Sequence, residues 1–119
     1  MVSPTLFTAI TPTLSGAAFT FTVASASGTG DLVPIAVGSG MTVVMIKNAD
    51  GVNSHTATFV SQTTAPNITV TIPKSTTAAV QLSPPSRWAN SAAENTCIVT
   101  YDSNTNLSLA VLNVPWQSV

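Results

Sequence analysis

At 119 residues the chain fits one domain, since the commonest domain size is roughly 100–150 residues. Hydrophobic residues make up 45% and charged residues only 6%, against about 25% charged in an ordinary soluble domain. The net charge is −1 and the cations are three, Lys47, Lys74 and Arg87, which excludes a basic phosphate-binding patch and with it nucleic acid as a partner.

Residues 1–15 hold Pro4 and Pro12 among Ser and Thr, with Phe7 and Ile10 as apolar anchors and Leu6 beside them. They read as an extended N-terminal arm that becomes ordered by docking. Residues 16–119 read as a single β-sandwich domain. Phe19 to Val23 alternates and predicts the first strand. Gly28 and Gly30 mark a loop. Residues 32–37 carry Pro34, which lacks the ladder donor, so this stretch is an edge strand or a bent connection. Residues 41–47 are a nearly continuous apolar run, suited to a strand covered on both sides. Asp50-Gly51 predicts a hairpin turn, followed by a strand over 55–62.

After a turn at 63–66, Ile68, Val70 and Ile72 alternate with Thr69 and Thr71. That period of two puts branched aliphatics on one face and hydroxyls on the other. Residues 73–75 break the strand, and 78–82 form the next. Residues 83–90 hold Pro84 and Pro85 and predict a structured corner, with a helical turn through Ala92 and Ala93. Residues 97–101, a turn at 102–104 and residues 107–114 predict a closing hairpin. Short strands about ten residues apart predict an all-β fold, an antiparallel β-sandwich or barrel of about eight strands.

Residues suited to catalysis are sparse. His55 is the only histidine; no Gly-x-Ser-x-Gly elbow accompanies it, and it reads as a partly exposed strand-start residue. Asp31, Asp50, Glu94 and Asp102 fall in predicted loops, whereas a metal wants three or four converging ligands. Asp50 and Asp102 read as turn formers. No catalytic residue, metal or cofactor is expected, and Cys97 reads as a buried small hydrophobe. No cation precedes Lys47, which argues against a secretion signal, and no apolar run reaches the length of a membrane span.

The aromatic residues carry the candidates for recognition. Trp88 reads first as a plug for the end of the sandwich. Trp and Arg are also enriched at the centres of interfaces, so Arg87 and Trp88 are interface candidates together with Phe7 and Ile10. Trp116 either clamps the C-terminus onto its own domain or anchors a partner. Tyr101 reads as a packing residue with its hydroxyl at the rim. So neutral a chain has little colloidal protection, which points to a surface covered by partners or kept wet by hydroxyls.

Four stretches together resemble small β-sandwich proteins of tailed bacteriophages. Residues 98–103 (Ile-Val-Thr-Tyr-Asp-Ser) and 107–114 (Leu-Ser-Leu-Ala-Val-Leu-Asn-Val) are similar to that group's C-terminal hairpin. Residues 82–90 resemble its proline corner, 42–48 its valine-rich strand ending in Lys-Asn, and 11–16 its N-terminal lead-in. The resemblance implies a capsid decoration, or cement, protein. Such a protein is a non-enzymatic homo-oligomer, a trimer by preference, that binds the major capsid protein on the outer surface of the virion. A carbohydrate- or receptor-binding head fibre module and a shell-forming β-sandwich capsid subunit are the competing expectations.

Overall fold

Strict alternation along short segments builds the fold. In the computed structural model, residues 6–11, 20–24, 30–36, 41–83, 85–90, 95–102 and 106–114 are described. Their strands are β1 (Ala9–Ile10), β2 (Thr22–Val23), β3 (Asp31–Pro34), β4 (Met41–Asn48), β5 (His55–Phe59), β6 (Ile68–Ile72), β7 (Thr77–Leu82), β8 (Thr96–Tyr101) and β9 (Leu107–Val114). One helical turn, α1 (Pro85–Trp88), lies between β7 and β8. The helical turn expected through Ala92 and Ala93 lies outside the described residues.

Two sheets face each other, as expected for a sandwich. The first runs β1-β9-β4-β7, with β2 also on β9; the second runs β3-β8-β5-β6. All pairings between strands are antiparallel except β1 on β9. Val44, Ile46, Leu109 and Val111 from the first sheet meet Val33, Ala57, Phe59, Ile72 and Val99 from the second in one core. Cys97 is buried there, as its setting predicts, and burial pushes its thiol up to about 11.

Several expectations are corrected. β4 alternates rather than burying both faces: Thr42, Val44, Ile46 and Asn48 point inward, while Met41, Val43 and Met45 are half-buried on the outside. The turn at Asp50-Gly51 is not a hairpin, because β4 and β5 belong to different sheets. Nor do β8 and β9 form a closing hairpin; each lies in its own sheet. β5 and β6, expected as two strands joined by a turn at 63–66, pair as an antiparallel hairpin. Pro34 does sit on an edge strand, β3.

The crossing at Asn48 is fastened by one side chain. Its buried side-chain amide donates to Asn53 O (3.1 Å) and Ile72 O (3.0 Å), and its Oδ1 accepts from the Asp50 amide (2.9 Å). One side chain thereby fastens the β4–β5 link to the end of β6 in the opposite sheet. Asn48→Ala removes these bonds inside a packed site, and a loss of about 1–3 kcal/mol is expected in urea unfolding.

The two flanks of the sandwich differ. On one, the arm crosses from sheet to sheet: Leu6 bridges Leu32, the Phe7 amide donates to Leu32 O (3.0 Å), and Ala9–Ile10 pairs with Val111 and Leu112. On the other, β6 and β7 are the outermost strands, and no further strand among the described residues covers them.

Candidate interaction surface

The structure separates the interface candidates. Phe7 is 3% exposed and Trp88 1% exposed, and both side chains pack in the domain's own core. Ile10 lies opposite Leu112, which lies opposite Val43, in a half-buried aliphatic row outside the first sheet. The Arg87 guanidinium stacks on the Trp88 ring at 4.6 Å and donates to Pro66 O (2.7 Å). With the Gln62 amide donating to Arg87 O (2.7 Å), α1 is tied to the β5–β6 loop and closes that end of the core. Trp116 lies outside the described residues.

Register places the outward side chains in rows. Outside the second sheet, Leu6, Leu32, Ile98 and Val60 line up across four chain segments. Leu6 is 55% exposed. The adjacent row is Thr100, Thr58 and Thr69, the last two linked by their hydroxyls at 3.0 Å. Outside the first sheet stand Met41, Val43, Met45, Leu112 and Val114. Among the strand residues only Asp31 and Lys47 carry a formal charge, and Asp31 points inward. Among the described strand residues the two broad faces thus present a single charge, Lys47, whose ammonium lies 5.9 Å from the Phe21 ring centre.

Three ionisable groups, His55, Asp50 and Asp102, are committed to each other. His55, expected to be partly exposed, is buried between two carboxylates: Nε2 lies 3.0 Å from Asp50 Oδ2 and Nδ1 3.3 Å from Asp102 Oδ1. Both ring nitrogens are engaged, so the imidazole clasps the β4–β5 link to the end of β8. Asp50 is also the turn former expected of it, whereas Asp102 reaches back to β5 and not along its own turn. Asp50 Oδ1 accepts from the Val52 and Asn53 amides, and Asp102 Oδ1 from the Thr56 amide. The amides of Val52 and Asn53, then His55, hold the Asp50 carboxyl down at about 2.

A carboxylate held below its ordinary value of 3.8 stabilises the fold above that value, and the contribution disappears as the pH falls from 3.8 to about 2. Asp50→Asn is therefore expected to flatten the acid limb of the stability profile over that window. Urea midpoints measured from about pH 5 to about pH 2 check it.

Asp31 corrects another expectation. It lies in β3, fully buried, and accepts a hydrogen bond from the Tyr101 hydroxyl (2.8 Å). Gly30 permits this at φ 90, where a Cβ would stand 2.6 Å from Val99 O. Burial, then Asp31, pushes the Tyr101 hydroxyl far above its ordinary range.

No sequence spacing announces these pairs, because Asp102 is 47 positions from His55 and Asp31 is 70 from Tyr101. Among the described residues no group of three or more His, Cys, Asp and Glu could hold a metal, and no helix is long and apolar enough to cross a membrane. The chain matches no family model, no curated protein and no solved structure.

Proposed function

We propose that the chain is a non-enzymatic structural protein that decorates the outer surface of a tailed-phage capsid and bridges its major capsid subunits. One observation carries this reading: two broad sheet faces whose described strand residues bear a single formal charge between them, lined by aliphatic rows and threonine hydroxyls. Such faces dock on another protein at little desolvation cost, since few charges lose their water. Leu6, 55% exposed, leads one of these rows, and a contiguous exposed apolar patch marks an interaction site. The resemblance of residues 11–114 to phage decoration proteins supplies the partner. Many modest contacts repeated over a symmetric shell then add through avidity.

Purified protein added to heads lacking it is expected to cosediment with them and raise their melting temperature. Thr100→Lys charges the second face and Met45→Lys the first; the variant on the docking face is expected to weaken binding about tenfold or more. Failure of the unmodified protein to bind the heads of the phage that encodes it would sink the reading.

A further inference from the structure

The open flank has a self-complementary strand. β6 reads Ile68-Thr69-Val70-Thr71-Ile72, the same in both directions about Val70. Antiparallel pairing with a second copy, centred on Val70, sets Val70 opposite Val70, Thr69 opposite Thr71 and Ile68 opposite Ile72. Like faces like on both sides of the sheet, which a two-fold axis requires.

The hydrogen bonding fits this register. The Val60 amide donates to Ile98 O (3.0 Å), the Thr56 amide to Asp102 Oδ1 (3.0 Å), and Thr56 O accepts from the Asp102 amide (3.2 Å). The even-numbered residues of β5 therefore turn their main chain toward β8, and His55, Ala57 and Phe59 turn theirs toward Ile72, Val70 and Ile68. By alternation, the N–H and C=O groups of Thr69 and Thr71 are directed at the open flank. In the two-fold register Thr69 and Thr71 of one copy meet Thr71 and Thr69 of the other, and four main-chain hydrogen bonds form.

Four further features favour a second copy as the occupant. No residue of β6 is charged, so nothing on the strand repels its twin. Lysine, proline and a bulge are the usual protections of an edge strand, and β6 has none of them within its bounds. Ile68 and Val70 are only partly buried against the core, as are Ala78 and Val80 of neighbouring β7, and a paired strand would cover the first two. The opposite flank is already closed by the chain's own arm.

We propose that two copies of this chain associate edge to edge through β6, joining their second sheets into one continuous sheet. The inference concerns the free protein and stands apart from the capsid reading. It also departs from the three-fold assembly that the resemblance implies, and sizing distinguishes the two.

Sedimentation across a dilution series is expected to show a species of twice the 12.1 kDa chain mass. The exposed double variant Thr69→Lys, Thr71→Lys sets lysine opposite lysine twice and is expected to weaken the dimer about tenfold. Thr77→Lys, on the β7 edge, is expected to leave it unchanged. Val70→Cys adds a readout independent of affinity, since opposed residues in a non-hydrogen-bonded pair lie about 4.5 Å apart at Cα, within disulfide reach. With oxidised glutathione it is expected to cross-link to dimer faster than Ala79→Cys on β7. A monomer at every concentration, a trimer insensitive to the two lysines, or equal cross-linking at residues 70 and 79 would overturn the proposal.

Discussion

Trp88→Ala is expected to cost about 3–5 kcal/mol, the range for truncating a large buried aromatic. Trp88 is among the largest fully buried side chains, at 1% exposure, and it sits on a helical turn rather than a strand. Its removal leaves a void that neighbouring strands, held in register, cannot fill by moving together. It also takes away the ring on which the Arg87 guanidinium stacks, and so loosens the bond from Arg87 to Pro66. Against a total stability of about 5–15 kcal/mol, the variant sits near the limit of folding, and thermal melting is the measurement. Trp88→Phe is expected to recover much of the loss. An interface role predicts the opposite: normal melting, with the defect confined to capsid binding.

How much of this was legible in the sequence depends on the range of the interaction. Alternation is local, and the strand at Ile68–Ile72 follows from its Thr and Ile positions alone. The edge position of Pro34 follows from its missing amide proton. The assignment of strands to sheets is not local. Asp50-Gly51 carries the chemistry of a tight turn, yet the amide of Asn48 reaches across to Ile72 and fastens the link as a crossing. The same limit applies to the candidate surface. Ile98 and Thr100 are ordinary outward residues by pattern, but their rows exist only once β3, β8 and β5 are placed side by side. His55 reads as partly exposed for the same reason: Asp50 is a neighbour in the link, but Asp102 reaches it only once β8 lies beside β5. Trp88 was legible as a plug, because a large ring in a proline corner has few other places to go.

The arm provides the sharper test of how the fold is closed. Phe7→Ala is expected to cost about 3–5 kcal/mol, although residue 7 lies in a stretch that reads as a peripheral extension. Leu6 and Phe7 are neighbours that point opposite ways, one across the outer face beside Leu32 and the other into the core. Without the ring, the bridge at Leu6 and the two-residue strand β1 are the strand contacts left among the arm's described residues, too little to offset the entropy of ordering them. Hydrogen exchange is expected to rise together over residues 6–10, β3 and the outer half of β9. Phe7→Leu is expected to retain most of the protection. Release of the arm also uncovers a second pair of sheet edges opposite β6. A chain that can pair on both flanks no longer closes on itself, so Phe7→Ala is expected to form open, growing assemblies where the parent stops. Light scattering during mild heating measures that growth, and adding Thr69→Lys and Thr71→Lys is expected to suppress it. An arm that only reached outward to a partner predicts unchanged stability, unchanged exchange in β3 and no new assembly.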